Sequence, residues 1–277
     1  MKQGRISQTA LKVGLSLVTL SIKEDWTERL PPDLVSVTER LLVASGAPGY
    51  GPRLMRASKR RWMLRLYESL DWMMPRQFEG FGHRKIFVET QVEVALRAGV
   101  RQVVVLGAGF DTLCLRLAPR YPDVEFVEVD HPATGAAKAK GIAAIGGPPN
   151  MLQILVDLGE RSLEETLFAE HRFAPETPSV FVAEGLLQYL SDDEVEGLLR
   201  TAAAVAPPGS RFVLTHAIPG TARWVLGLAS LIGEPWRSAV SSGALPEYVR
   251  GSGWSVITPV DDDASHGLER YAVAERD

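Results

Sequence analysis

The amino-acid sequence predicts an α/β fold built on a mixed sheet of seven strands, in which five parallel strands are followed by an antiparallel hairpin. From residue 99 onward, short apolar runs alternate with helical segments, which is typical of βαβ units and a mainly parallel sheet. Only residues 261–267 separate the last two runs, and so short a polar stretch holds no crossover helix, so these strands pair antiparallel. The predicted strands are 101–106, 124–130, 151–156, 179–184, 210–216, 254–260 and 268–275.

The first 98 residues are predicted to be helical and to form a cap over the sheet, so that 1–98 is a cap region and 99–277 the sheet domain. Apolar residues recur there at helical spacing, and Gly and Pro residues interrupt them. Asp33 is a candidate N-cap, Gly46 a candidate helix end, and Pro75 a helix breaker. The predicted helices are 10–20, 33–46, 53–72 and 84–99.

Composition limits the classes of protein to consider. The chain has 277 residues, 45% hydrophobic and 23% charged, with a net charge of −4, which suits a globular protein and argues against a nucleic-acid surface. The basic segment 53–65 contains Trp62, Met63 and Leu64 and is predicted to be an amphipathic helix rather than a phosphate-binding stripe. No apolar run approaches the roughly 20 residues that span a bilayer, and Cys114 is the single cysteine, so we expect a cytoplasmic location.

A glycine turn follows the first predicted strand. The apolar run 103–106 ends at Gly107-Ala108-Gly109, and the next apolar run ends at Asp130. Glycines let the backbone pass close to a ligand, and an acid at the tip of the next strand can accept hydrogen bonds from both hydroxyls of a ribose. Thr112 replaces the third glycine of a pyrophosphate-binding turn, which favours a nucleoside without phosphate. The alternative is that Asp130 only caps the helix that follows.

Two further acids end predicted strands. Asp157 follows the third strand, where a carboxylate can reach the exocyclic amine of an adenine or can cap the next helix. Glu184 follows the fourth strand, at the edge of the sheet where open α/β folds bind their ligands. A buried carboxylate needs a partner, and a cationic ligand would supply one.

Together these segments resemble the leucine carboxyl methyltransferase family, which uses S-adenosylmethionine and includes bacterial O-methyltransferases of polyketide pathways. The antiparallel end of the sheet is likewise typical of class I methyltransferases, with their Rossmann-like sheet. The resemblance covers nearly the whole chain. It rests on Ser7-x-Thr9-Ala10, Gly107-Ala108-Gly109-Phe110-Asp111-Thr112, Glu128-Val129-Asp130-His131-Pro132 with Lys138, Asp157-Leu158, Ala183-Glu184-Gly185-Leu186-Leu187-Gln188-Tyr189-Leu190 and Gly233-Glu234-Pro235-Trp236.

The resemblance implies which residues bind S-adenosylmethionine. The glycine turn would line the methionine part, the residues after the second strand would hold the ribose, and those after the third would frame the adenine. The residues after the fourth strand would lie near the methionine amino group, and an arginine on the helix before the first strand would face a carboxylate. The matching positions are, in that order, Gly107, Ala108 and Gly109, Asp130 and His131, Asp157 and Leu158, Glu184 and Gly185, and Arg84.

The chain departs from the family pattern in three places. Leu113 follows the glycine turn where the family usually has an arginine soon afterwards, and the arginine here is Arg116. Glu89 stands in the segment after Arg84 where members often have an aspartate. Residues 46–82 match no family pattern, and we expect them to build the acceptor pocket.

The predicted function is methyl transfer from S-adenosylmethionine to a carboxylate or hydroxyl oxygen of a small molecule, such as a polyketide or another natural product. A carboxylate is ionised at pH 7 and requires no base, whereas a hydroxyl benefits from one. His216, at the end of the fifth strand, is either that base or a structural histidine, and His83 and Tyr189 are the other candidate catalytic residues. No histidine–acid cluster has metal-ligand spacing, so we predict no metal.

Two other functions stay open at this point. A nicotinamide-dependent (NAD) oxidoreductase would have a sixth parallel strand in place of the hairpin. A catalytically silent, methyltransferase-like domain would bind the cofactor or nothing, and would serve as a partner surface. For the enzyme, the expected partner is a small-molecule methyl acceptor, with no nucleic acid and no membrane, and the sequence predicts no oligomeric state.

Overall fold

Seven strands form one sheet in the computed structural model, which describes residues 4–72, 74–158, 160–217, 236–237, 245–256 and 267–277. The strands are β1 (Gln102–Leu106), β2 (Glu125–Asp130), β3 (Met151–Leu155), β4 (Ser179–Ala183), β5 (Arg211–Ala217), β6 (Ser255–Val256) and β7 (Glu269–Glu275). Their order across the sheet is β3-β2-β1-β4-β5-β7-β6. Strands β1 to β5 run parallel, and β7 is antiparallel to both β5 and β6.

The sheet confirms the predicted α/β fold with its antiparallel end. Where the oxidoreductase alternative needs a sixth parallel strand, the described residues have β7, which pairs antiparallel with β5 from Arg211↔Glu275 to Ala217↔Glu269. Of the predicted strand 254–260, the structure describes residues 254–256, of which Ser255 and Val256 form β6. The remainder of that strand and most of the turn at 261–267 lie outside the described residues.

Helices precede and connect these strands. Two predictions in the cap region are wrong: the segment 53–72 forms two helices, because Arg60 is extended (φ −98°, ψ 141°), and the fourth helix begins at Gln77 rather than near Arg84. The helices are α1 (Gln8–Leu20), α2 (Trp26–Arg29), α3 (Leu34–Ser45), α4 (Pro52–Ser58), α5 (Arg61–Ser69), α6 (Gln77–Arg97), α7 (Leu113–Leu117), α8 (Pro132–Ile145), α9 (Leu163–Phe168), α10 (Asp192–Ala204) and α11 (Leu245–Gly251).

Both faces of the sheet are covered. On one face, Val88 and Val92 of α6 pack with the β1 and β5 side chains in a buried apolar cluster. On the other face, α9, α10 and α11 pack against the sheet around Trp254. Helices α1, α3 and α4 form a further cluster with α8. Thus α6 belongs to the core of the sheet as well as to the predicted cap, and a domain boundary at residues 98 and 99 stays a prediction.

The early start of α6 has a steric reason. The segment Gly80-Phe81-Gly82 favours a loop by propensity, but Gly82 lets the helix pack directly on Trp26. A Cβ atom at Gly82 would lie 2.2 Å from Trp26 Cζ3 and 2.7 Å from Leu20 Cδ2. Tertiary packing therefore outweighs the local cost of glycine in a helix.

No helix within the described residues is both long and apolar enough to cross a membrane.

Gly82→Ala is expected to lower the free energy of unfolding by about 1–3 kcal/mol, because the added methyl group overpacks this contact. Urea denaturation measures the change. Gly197→Ala is the matched control: Gly197 lies in α10 with nothing within 4 Å of its Cβ position, so the same substitution is expected to stabilise by about 0.5–1 kcal/mol. Shifts of the same sign in the two variants would contradict the packing explanation.

Candidate active site

A cavity of about 490 Å³ lies at the carboxyl ends of the parallel strands, a volume typical of small-molecule sites. The glycine turn after β1 and the segment after β4 form its inner wall, and α1, α5 and α6 contribute side chains that close it over. Predicted residues that line it are Arg84, Gly107, Ala108, Gly109, Asp130, Glu184, Gly185 and Tyr189, together with Thr9, Ala10 and Trp236 from the family motifs.

The glycine turn has the backbone that its sequence predicts. Gly107 and Gly109 have φ values of 64° and 49°, in the left-handed region that side chains disfavour. A Cβ atom at Gly107 would lie 2.8 Å from Leu186 Cδ1, and one at Gly109 would lie 3.0 Å from Ala10 Cβ. The turn is therefore packed between α1 and the segment after β4, and both neighbours come close because neither glycine has a side chain.

Asp130 and the glycine turn are in direct contact. The Gly109 amide donates a hydrogen bond to Asp130 Oδ2 at 3.1 Å. Burial raises the pKa of the Asp130 carboxyl to about 6, against the opposing effect of the His131 and Gly109 amides. The interpretation of Asp130 as a helix cap is wrong: the N-cap of α8 is His131, whose Nδ1 accepts from the Ala133 amide at 3.3 Å. The Asp130 carboxylate is thus left at the cavity wall.

A cluster of buried charges also lines the cavity. Arg84 donates from Nε to Glu184 Oε1 at 2.8 Å and from Nη1 to both oxygens of Glu269 at 2.7 Å. Lys85 Nζ lies 2.7 Å from Glu184 Oε1 and donates to Asp111 Oδ1 at 2.7 Å. Burial alone would raise the pKa of the Asp111 carboxyl, but Lys85 and other nearby cations hold it well below its usual range.

This cluster changes the interpretation of Glu184 and Arg84. The sequence leaves Glu184 in need of a cationic partner that a ligand would supply, whereas Arg84 and Lys85 of α6 already neutralise it. Arg84 faces carboxylates, as the resemblance implies, but these belong to Glu184 and Glu269. Both side chains still line the cavity, and their contact with a cofactor stays a prediction.

Two of the residues that depart from the family pattern, Arg116 and Glu89, form a buried ion pair with each other. Arg116 Nη2 lies 2.5 Å from Glu89 Oε2, so the arginine that stands later than usual pairs with the glutamate that replaces an aspartate. Arg116 Nε also donates to Thr112 Oγ1 at 3.1 Å. Beneath the turn, Lys138 Nζ lies 2.7 Å from Glu128 Oε2. These pairs tie α6, α7, α8 and β2 together behind the glycine turn.

Three of the predicted cofactor-binding residues lie outside the cavity wall: His131 after β2, and Asp157 and Leu158 after β3. His131 Nε2 lies 3.5 Å from Asp157 Oδ2, and the Asp157 side chain is 37% exposed. Leu158 packs partly buried against the core cluster around Trp254. Among the described residues, the cavity lining includes none of these three. The predicted roles of His131 toward the ribose and of Asp157 and Leu158 toward the adenine stay predictions.

The candidate histidines are not at the cavity wall. His83 packs edge-on against Trp26, with ring centroids 5.0 Å apart. His216 is 1% exposed and shares the face of β5 with Phe212 and Leu214, since side chains alternate along a strand. Thr215, on the opposite face, accepts from the Gly185 amide at 2.8 Å. Of the three candidate catalytic residues, the described cavity wall includes Tyr189 alone.

Sequence reasoning missed Lys85, Asp111 and Glu269 as members of the site. Asp111 lies inside the glycine-turn motif 107–112 and Lys85 directly follows Arg84, and their charges were the available signal. Glu269 begins a strand whose side chains are buried, and a charge there indicates a buried ion pair.

In the part of the chain that the structure describes, no group of histidine, cysteine or acidic residues could hold a metal. Gly233-Glu234-Pro235 lies outside that part.

This sheet order and a cavity on the glycine turn define a class I methyltransferase fold. A solved structure from Thermobifida fusca YX matches with a TM-score of 0.60 and 18% identity, covering 89% of this chain and 98% of that one. A DUF574 family protein from Streptomyces avermitilis MA-4680 matches with a TM-score of 0.57 and 17% identity, covering 87% and 97%. At such identities the likeness concerns the fold alone.

The chain belongs to the leucine carboxyl methyltransferase family, whose sequence profile matches residues 36–203. A Mycobacterium tuberculosis protein named "Putative S-adenosyl-L-methionine-dependent methyltransferase" is 32% identical over 201 residues, covering 64% of this chain and 56% of that protein. A similarly named protein from Parafrankia sp. is 34% identical over 179 residues, covering 62% and 56%. The chain thus spans about 56% of the length of these relatives.

Proposed function

We propose that the protein is an S-adenosylmethionine-dependent O-methyltransferase that acts on a carboxylate or hydroxyl group of a small molecule. The observation that carries the proposal is the contact between the Gly109 amide and Asp130 at the wall of a 490 Å³ cavity. Membership of the family and the names of the relatives support the cofactor. A polyketide or other natural product as acceptor, and a cytoplasmic location, are part of the same proposal.

The residues of the inner wall fit S-adenosylmethionine, which supplies an activated methyl group when bound. Asp130 offers a carboxylate to the ribose hydroxyls, and the glycine turn offers close backbone approach to the methionine part. The amino and carboxylate groups of the methionine part would meet the charged wall formed by Arg84, Lys85 and Glu184. Holding both reactants in line can supply about 7–11 kcal/mol of the barrier, so positioning is the main task of this wall.

The outer wall fits an apolar acceptor. Helices α5 and α6 contribute Tyr67, Phe78 and Phe81, and α1 contributes Val13 and Leu17. The expectation that residues 46–82 build the acceptor pocket is thereby supported. Apolar walls exclude water from the reacting groups and strengthen the electrostatic interactions between them.

Tyr189 is the candidate residue for positioning the acceptor. Tyr189→Phe is expected to lower kcat/KM by about tenfold, as for the loss of one hydrogen bond in the transition state. His216→Asn is the comparison variant, and we expect it to change stability while kcat stays at the wild-type level, because His216 faces the core. Turnover of labelled S-adenosylmethionine with small carboxylic acids and phenols measures both. A large loss of kcat in His216→Asn would restore the histidine as the base.

Calorimetry with S-adenosylhomocysteine tests the cofactor directly. We expect micromolar affinity, about −8 kcal/mol, because the protein would contact the ribose, the adenine and the amino-acid part of this ligand together. NAD serves as the comparison ligand and is expected not to bind, because the turn has Thr112 in place of the third glycine. Absence of binding heat with S-adenosylhomocysteine would overturn the proposed function.

A further inference from the structure

The outward side of α5 carries an apolar stripe. Trp62 is 56% exposed, Leu66 is 48% exposed and Leu70, the residue at the C-cap, is 45% exposed. Residues four apart lie on one side of a helix, so these three form a continuous row. Trp72, just beyond the helix, is 77% exposed. Contiguous exposed apolar side chains of this size indicate an interaction site.

Trp62 and Leu66 of this stripe belong to no buried apolar cluster of the described residues and do not line the cavity, whereas Leu70 also contributes to the cavity wall. The inward side of α5 supplies Leu64 and Tyr67, which pack against the apolar cluster around Leu17 and Trp26. Tyr67 also stacks on Phe78, with ring centroids 4.7 Å apart. The apolar face of the helix is therefore broad: the part with Leu64 and Tyr67 packs on the protein, and the part with Trp62 and Leu66 is left exposed.

Basic residues lie next to the stripe in the sequence, on α4, on α5 and in the short connection between them. Six basic residues and no acidic residue occur within 53–65, in a chain whose net charge is −4. All six are exposed. Lys59 pairs with Glu39, whereas the others have no carboxylate within 4 Å among the described residues. The nearest acid on α5, Glu68, lies 3.6 Å from Lys23. The six are Arg53, Arg56, Lys59, Arg60, Arg61 and Arg65.

We propose that this α5 surface, formed by Trp62, Leu66, Leu70 and Trp72 with the basic residues of 53–65, docks on the anionic lipid surface of a membrane. Exposed tryptophan and leucine side chains enter the boundary between headgroups and acyl chains, while arginine and lysine side chains meet anionic headgroups. A second copy that met this surface with its own α5 surface would place six cations against six, which is repulsive. The association is peripheral and requires no spanning helix, and it would replace the expectation from the sequence that the protein has no membrane partner.

The position of this surface gives the docking a consequence. Tyr67, Leu70 and Asp71 line the cavity, so the helix that would touch the lipid is also part of the cavity wall. Docking would turn this side of the cavity toward the bilayer and would bring it close to apolar molecules dissolved there. The docking itself goes beyond the proposed methyl transfer and is testable without cofactor or acceptor.

Co-sedimentation of the full chain with vesicles tests the proposal. We expect binding to phosphatidylcholine mixed with phosphatidylglycerol, weaker binding as salt is raised, and none to phosphatidylcholine alone. The double variants Trp62→Ser/Leu66→Ser and Arg61→Glu/Arg65→Glu are each expected to lose at least about tenfold in apparent affinity. The matched controls are Phe168→Ser, at a side chain 51% exposed on α9, and Arg250→Glu on α11, and both are expected to bind like wild type.

A site-specific label reports the orientation. The single cysteine, Cys114, is buried, so Leu70→Cys can be labelled selectively with an environment-sensitive fluorophore. Its emission is expected to shift to the blue with anionic vesicles, and that of labelled Phe168→Cys is expected not to shift. Failure of the wild type to bind anionic vesicles, or undiminished binding by both double variants, would overturn the proposal. Self-association abolished by Trp62→Ser/Leu66→Ser without vesicle binding would instead assign the surface to a second copy.

Discussion

Asp130→Asn is expected to weaken binding of S-adenosylhomocysteine by about 10- to 100-fold at pH 7, since one or two charge-assisted hydrogen bonds to the ribose are lost. Asparagine keeps the shape of the side chain and an oxygen that can accept from the Gly109 amide. Calorimetry measures the change. Asp123→Asn, an exposed residue in the turn before β2, is the matched control and is expected to bind like wild type. Equal affinities of Asp130→Asn and wild type would exclude Asp130 from the ribose site.

The pH dependence gives a second readout. The ionised form of Asp130 accepts from the ribose hydroxyls, and burial raises the pKa of this carboxyl to about 6. Wild-type affinity is therefore expected to fall as pH drops below about 6, whereas the affinity of Asp130→Asn is expected to vary less there. A flat wild-type profile from pH 7 to 5 would contradict this role.

The same shift predicts the effect on stability. Because the folded pKa exceeds the usual one, Asp130 takes up its charge in the unfolded chain at lower pH than in the folded protein. Its contribution to stability is fully present below the usual pKa and is lost as pH rises to about 6. At pH 7 the buried Asp130 carboxyl is therefore ionised at a cost in stability. Asp130→Asn removes this cost and is expected to raise the free energy of unfolding of the unliganded protein at pH 7 by about 1–3 kcal/mol.

Arg84→Met is expected to lower the free energy of unfolding by about 3–5 kcal/mol, because it removes one partner of a buried ion cluster and leaves the other uncompensated. Glu184 keeps Lys85 as a partner, whereas among the described ion pairs Glu269 has Arg84 alone. Urea denaturation with circular dichroism measures the loss. We attribute this expected loss of stability to the removed charge rather than to the changed shape of the side chain.

Two variants separate charge from packing at this site. The double variant Arg84→Met/Glu269→Gln removes both charges and is expected to recover part of the lost stability. Arg200→Met breaks an exposed pair with Glu196 on α10 and is expected to cost at most about 0.5 kcal/mol. If Arg84→Met and Arg200→Met cost the same, the buried cluster contributes no more than a surface pair.

Local sequence signals predicted the parts of the site that depend on neighbouring residues. A strand that ends in glycines requires a turn with positive φ, and Gly107 and Gly109 have it. An acid at the end of the adjacent parallel strand must reach the same edge, and Asp130 does so, since β1 and β2 pair in register from Gln102↔Glu125 to Leu106↔Val129. The short connection before β7 likewise allowed only antiparallel pairing.

Signals of this kind fail where a residue's partner is distant in sequence. Arg84 and Glu269 are 185 positions apart, and no periodicity links them. The helix through Gly80 and Gly82 contradicts local propensity, and the contact with Trp26 decides it. His216 ends a strand at the edge where ligands bind, but the face of the sheet to which it belongs follows from the register of β5 with its neighbours.

The sequence by itself determined the glycine turn, the acids at the strand ends and the antiparallel end of the sheet, because each of these follows from backbone geometry over a few residues. The tertiary structure alone decided which charges neutralise one another, which candidate side chains reach the cavity, and which side of α5 is left exposed. Those outcomes depend on how elements far apart in the chain pack, and packing is a property of the three-dimensional arrangement.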